Sequence, residues 1–287
     1  MAVVLAYRAL GLGDFLTGVP ALRALKRAYP DHRLVLAAPK ALAPLAGLSG
    51  AVDELRDTAP LGLAPQHAEI AVNLHGRGPQ SHAVLRAARP RRLIAFGDEI
   101  RWRPGEHEVA RWCRLLEESG IPADPTDLDL PPPAATPPVR GATVIHPGAA
   151  SPARRWPAER WAQVARRLPG PVVVTGAPGE PELGVGTSLV GRTDLATLAA
   201  TVAAAELVLC GDTGVAHLAT AFGTPSVVLF GPTPPAEWGP PPERPQHRVL
   251  WAGRTGDPHG QTCDAGLLTI GVDDVLAALP PRVGRGV

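Results

Sequence analysis

The sequence predicts an α/β protein of two domains, each built on a parallel sheet with helices on both faces. Three observations carry that prediction. Short apolar runs rich in β-branched residues alternate with helix-length stretches through both halves of the chain. The runs are apolar at successive positions, as strands buried on both faces are, instead of alternating apolar and polar. The alternation stops once, over residues 122–138, where seven of seventeen residues are proline, and then resumes. A chain of 287 residues, 45% of them hydrophobic, suffices for two cores of ordinary size. The reading is therefore a first domain over 1–121, an extended and semi-rigid proline-rich linker over 122–140, and a second domain over 141–287.

In the first domain the β-rich runs fall at 3–6, 33–37, 69–74 and 92–96. Helix-length stretches fall at 15–29, 79–89 and 106–119. In the second domain strands are expected at 143–146, 172–175, 207–210 and 226–230, with helices at 158–168, 194–205 and 213–222. Residues 232–266 are rich in Pro and Gly and read as irregular, and 272–279 reads as one last helix. In an open parallel sheet ligands bind beyond the carboxyl ends of the strands. Each domain carries a glycine turn in that place, Gly11-Leu12-Gly13-Asp14 in the first and Gly211-Asp212-Thr213-Gly214 in the second. The expected site lies in a cleft between two facing sheets.

Composition removes several classes of function. Net charge is +1 and the basic clusters are short arginine pairs, so the phosphate-neutralising stripe of a nucleic-acid binder is missing. Residues 1–6 are apolar, but Arg8 follows at once, with no basic leader, cleavage site or span of about 20 apolar residues. A cytoplasmic protein without a transmembrane segment is expected. Cys113, Cys210 and Cys263 lack zinc-site or disulfide spacing and read as reduced thiols, with Cys210 in the core. There is no G-x-x-x-x-G-K-[ST] and no H-E-x-x-H, so no metal and no cofactor is expected. Asp127-Leu128-Asp129 has the spacing of a metal-binding D-x-D, but its place among the prolines favours a solvated linker.

The remaining polar residues group at the strand ends. Gly11-x-Gly13 invites a dinucleotide reading, but Leu16 stands where the third glycine belongs, and Asp14 puts a carboxylate where a pyrophosphate would sit. Asp14 is either a helix-capping or first-turn residue or a general base; position alone favours the cap. Asp212 has the same ambiguity. It is tilted toward binding by Gly214, which lets a ligand approach the backbone, and by His217 on the same helix face. His146-Pro147-Gly148-Ala149 closes a strand and leads to Arg154-Arg155-Trp156-Pro157. One arginine there can clamp an anion while the other is solvated, with Trp156 stapling the following helix. Glu180 is either a ribose-binding acid or a first-turn helix residue.

Together these pieces resemble glycosyltransferase family nine, the ADP-heptose:lipopolysaccharide heptosyltransferase-like enzymes, across nearly the whole chain. The resemblance rests on Arg8-x-x-Gly11-x-Gly13-Asp14 with Pro20-Ala21-Leu22, and on His146-Pro147-Gly148-Ala149 with Arg154-Arg155-Trp156-Pro157. Gly211-Asp212-Thr213-Gly214-x-x-His217 with Leu229-Phe230-Gly231-Pro232-Thr233 completes it. It implies a GT-B fold of two Rossmann-like domains and a metal-free, inverting transfer of a sugar, heptose by resemblance, from an ADP-linked donor. The acceptor is a hydroxyl group on a glycan or a natural-product aglycone. By the same resemblance Asp14 is the base, with Gly13, His75 and Arg77 on the acceptor side. Thr213, Gly214 and His217 form the diphosphate site, Asp212 contacts the donor sugar, and Glu180 binds the ribose. Arg154 stands where the family has a lysine, a departure that keeps open a nucleotide-sugar-binding partner without turnover. A dehydrogenase is the weaker third reading, disfavoured by Leu16 and Asp14.

Overall fold

The computed structural model describes residues 2–62 and 67–280. The chain divides into two compact units, with the boundary between Pro131 and Pro132. The first unit contains β1 (Val3–Tyr7), α1 (Leu12–Thr17), α2 (Val19–Ala28), β2 (Arg33–Ala38), α3 (Ala43–Leu48) and β3 (Glu54–Asp57). It continues with β4 (Ile70–Asn73), α4 (Gln80–Ala87), β5 (Arg92–Ile94) and α5 (Glu108–Glu117). Its five strands are all parallel, in the order β3-β2-β1-β4-β5. Every residue of β1 is buried, because helices cover both faces of the sheet and successive side chains point to opposite faces.

The second unit contains β6 (Thr143–His146), α6 (Ala158–Arg167), β7 (Val172–Val174), β8 (Thr187–Ser188), α7 (Leu195–Ala203) and β9 (Leu207–Gly211). After these come α8 (Gly214–Phe222), β10 (Ser226–Phe230), α9 (Pro235–Trp238), β11 (His247–Trp251), α10 (Ala265–Thr269) and α11 (Val272–Ala277). Six parallel strands run in the order β11-β10-β9-β6-β7-β8. Its core joins Ile145, Val174, Leu209, Val227 and Leu229 of the sheet to Trp156, Trp161 and Val164 of α6 and its approach.

Strand order places the functional turns. The first chain half runs from β1 outward to β3, then returns to β4 on the other side of β1. The second runs from β6 outward to β8, then returns to β9 beside β6. At such a reversal the turns following the two adjacent strands diverge and leave a crevice at the carboxyl edge. The first crevice lies beside the turns after β1 and β4, the second beside those after β6 and β9.

Three expectations need correction. The helix expected over 15–29 is two helices that meet at Gly18, which closes α1 and opens α2. Residues 232–266 are not wholly irregular: β11 lies within them and pairs with β10 from Ser226 opposite His247 to Phe230 opposite Trp251. An edge strand is half covered, so its mixed sequence HRVLW hides the apolar run that reveals a central strand. Asp127 is not a solvated linker residue. Its carboxylate takes Arg23 Nη1 at 2.6 Å and Arg27 Nη1 at 2.8 Å, while Leu128 and Leu130 are buried and Leu128 packs on Val109 and Cys113 of α5. Among the described residues no helix is long and apolar enough to cross a membrane.

Candidate functional site

In the first unit the turn after β1 carries Gly13 and Asp14 into α1. Asp14 is the third residue of that helix, and Gly11, not Asp14, is its N-cap. The Gly11 backbone N–H donates to Asp14 Oδ2 at 3.2 Å, so one carboxylate oxygen closes the helix end. The other, Oδ1, stands 3.7 Å from Nη2 of the buried Arg8, and the side chain keeps 29% of its surface exposed. One oxygen is thus engaged in closing the helix, while the other accepts no hydrogen bond from Arg8. The turn after β4 carries His75 and Arg77. Asn73 shapes it, its amide donating to Gly76 O at 2.8 Å and Ser81 Oγ at 2.9 Å while its carbonyl accepts from His75 N at 3.1 Å. The His75 ring stacks on Tyr7 at 4.8 Å. Burial and then the charge of Arg8 lower the His75 pKa, against the opposing pull of Asp14, so the imidazole is neutral at pH 7. Arg77 lies on the exposed surface of the same turn.

In the second unit the turns after β6 and β9 meet through Arg154 and Asp212. Arg154 Nη1 lies 3.5 Å from Asp212 Oδ2 and 3.4 Å from Asp212 O. Asp212 is buried, and that burial raises its pKa; the Arg154 charge and a hydrogen bond from Thr233 oppose the rise. The capping reading of Asp212 fails, because the N-cap of α8 is Thr213, whose extended backbone (φ −154°, ψ 168°) starts the helix at Gly214. Among the described residues no side chain caps that end, so its first N–H groups point out with the positive end of the helix dipole. His217 follows one turn into α8, its ring edge-on to Trp238 at 6.0 Å. Arg155 is occupied differently from Arg154: its Nε donates to Ala149 O at 2.8 Å. Trp156 is buried against Trp161 and donates to Ile270 O at 3.0 Å, which fixes the start of α6.

Glu180 lies in a turn after β7 and not in a helix, so its first-turn reading also fails. Its Oε2 accepts from Ala177 N at 2.9 Å, and its carboxylate rests against the Cα of Gly148, where any Cβ would overlap it. His146, at the end of β6, holds Thr175 Oγ1 at 3.0 Å, and burial lowers its pKa while Glu180 opposes. The carboxyl edge of this sheet therefore offers a cation, an uncapped helix end and two carboxylates in one row of turns. That set suits an anionic ligand carrying hydroxyl groups.

Residues 79–264 match the family model for glycosyltransferase family 9 (heptosyltransferase). The chain belongs to that family. This transferase shares its GT-B fold with a family 9 glycosyltransferase from Veillonella parvula DSM 2008, at a TM-score of 0.76 and 20% identity over 96% of each chain. It is similar to the ADP-heptose LPS heptosyltransferase II of E. coli, at a TM-score of 0.74 and 20% identity over 96% of this chain and 97% of that one. It is similar also to E. coli heptosyltransferase WaaC, solved with ADP, at 0.70 and 18% identity over 96% and 98%. No curated protein sequence matches the chain.

Sequence reasoning had picked out the glycine turns and the charged residues beside them in the transferase. It missed the residues that hold them. Glu108 and Thr17, both on Arg8, and Thr233 on Asp212 come from elsewhere in the chain. Of these, Thr233 stood in a quoted motif, Leu229-Phe230-Gly231-Pro232-Thr233, but without a role assigned to it.

Proposed function

We propose that the enzyme transfers heptose from an ADP-linked donor to an acceptor hydroxyl, with inversion at the anomeric carbon and without a metal. The observation that carries this is the uncapped N-terminus of α8 beside Arg154 and the buried Asp212. Asp14 takes the proton of the acceptor hydroxyl as its oxygen bonds to the anomeric carbon. The bond from that carbon to the diphosphate breaks, and the nucleoside diphosphate leaves with the electron pair. The charge that develops on the leaving group is met by the Thr213 and Gly214 backbone, His217 and Arg154. Asp212 receives donor-sugar hydroxyls and Glu180 the ribose. Gly13, His75 and Arg77 form the acceptor side, for a glycan or natural-product aglycone. The likeness to heptosyltransferases described with ADP and ADP-heptose supports the donor class. The free cysteines Cys113, Cys210 and Cys263 support a cytoplasmic site of action.

Calorimetry with ADP tests the donor site. Loss of a charge-assisted hydrogen bond costs about 1.5–3 kcal/mol, so Arg154→Ala weakens ADP roughly tenfold to a hundredfold, and Arg154→Lys recovers most of it. An unchanged ADP affinity in Arg154→Ala removes the residue from the site. Release of ADP from ADP-heptose is expected to persist in excess chelator, and an absolute need for a divalent cation contradicts the metal-free reading.

A further inference from the structure

Arg8 is a cation with no exposed side-chain surface, and the reaction above makes no use of it. Its guanidinium reaches four acceptors on three segments. Nε donates to Asp14 O in α1 and Nη1 to Leu74 O, the residue before His75. Nη2 donates to Thr17 Oγ1 at 3.0 Å and to Glu108 Oε1 of α5 at 3.1 Å. The group lies 4.8 Å from the centre of the Trp112 ring.

We infer that Arg8 is the positioning residue of the acceptor half of the site, holding the Asp14 and His75 turns in register and acting on the reaction through Asp14. The inference rests on the reading of Asp14 as the base. Two of its bonds go to main-chain carbonyls at or beside those two residues, so it sets the turns themselves. Its distance from Asp14 Oδ1, 3.7 Å, is beyond hydrogen bonding. The guanidinium therefore places a charge beside the carboxylate without occupying the oxygen that must accept a proton. Its counter-ion is Glu108, which Arg111 and the Trp112 Nε1–H, at 2.8 Å, also hold. Glu108 thus keeps partners when Arg8 is changed. Gly18 gives an independent sign: its φ of −88° suits any residue, yet an added Cβ would stand 2.9 Å from Arg8 Cδ. Glycine is needed there to let the Arg8 stem pass.

The test measures ADP release from ADP-heptose with water as acceptor. Arg8→Lys keeps a cation but cannot span four acceptors. It is expected to lower kcat at least about tenfold, since a misplacement of about 1 Å costs up to roughly a hundredfold. Donor KM should stay within about twofold, because the donor-binding residues belong to the other unit. Gly18→Ala, which removes no donor or acceptor, should give a smaller loss with the same split. The deciding measurement repeats both changes in Asp14→Asn, where they should cost nothing further. Full kcat in Arg8→Lys, a rise in donor KM alone, or equal fractional losses in both backgrounds overturns the inference. If Arg8→Lys does not fold, Gly18→Ala carries the same cycle. Wild-type turnover in Asp14→Asn instead sinks the base reading, a result distinct from failure of the positioning role.

Discussion

Asp14 and Asp212 are two carboxylates in turns at the carboxyl ends of central strands, and the structure treats them in opposite ways. Asp14 is partly exposed, with one oxygen capping α1 and the other near a cation. Asp212 is buried and depends on Arg154 and Thr233 to offset its loss of water. Asp14→Asn separates capping from catalysis. Asn still accepts the Gly11 N–H, so stability should fall by no more than about 1 kcal/mol. It cannot take the acceptor's proton, so transfer should fall at least about a hundredfold, with donor affinity unchanged. Thermal unfolding and turnover on the same preparation check this; turnover near wild type leaves Asp14 as a cap alone, with His75 the next candidate. At this scale the motif residues were legible because glycine turns after apolar runs mark strand ends. Glu108 was not, since it lies a hundred residues from the arginine it neutralises.

At the scale of elements, the glycines decide geometry that hydrophobic pattern cannot. Gly18 ends one helix and opens the next inside a stretch whose apolar spacing runs on unbroken. Gly148 leaves room for the Glu180 carboxylate between the turns after β6 and β7. Gly148→Ala should displace Glu180; under the proposed function, in which Glu180 serves the ribose alone, ADP affinity should fall about tenfold while inorganic pyrophosphate binding is unchanged. Parallel losses for both ligands in calorimetry point to movement of the whole turn. Gly223 closes α8 with φ +65° and nothing within 4 Å of an added Cβ. Gly223→Ala should therefore cost about 1 kcal/mol in urea unfolding from backbone strain alone, with ADP affinity intact.

For the whole molecule, burial of histidines makes stability depend on acid. His75, His82, His146 and His247 all have lowered pKa values, with burial the leading cause. His247, on edge strand β11, is pushed down to about 4 from 6.5 by burial and by Arg244, and its Nδ1 lies 2.9 Å from Ser226 Oγ. Between those pH values the unfolded chain holds a proton that the folded chain does not. The contribution is therefore whole above pH 6.5 and is lost as pH falls toward 4. Its size is on the order of 2 kcal/mol after allowance for solvent at the sheet edge. Urea unfolding at pH 7.5 and pH 5 should show the loss, and His247→Gln should make it shallower; an unaltered slope in that variant assigns the acid sensitivity elsewhere.

The sequence by itself determined the two parallel-sheet units, the central strands and the polar turns at their carboxyl ends. Each of these is written in local pattern: apolar runs buried on both faces, and glycine in the turns that follow them. Tertiary structure alone decided the edge strand β11, the pairing of Asp127 and packing of Leu128 within the first unit, and the choice of N-caps for α1 and α8. It also decided the partner of Arg155, the carbonyl of Ala149. The caps are settled by local backbone conformation, where several nearby residues could serve equally by pattern. The others depend on a partner distant in the chain that folding brings close, and a buried charge or half-covered strand takes its meaning from that partner and not from its neighbours in sequence.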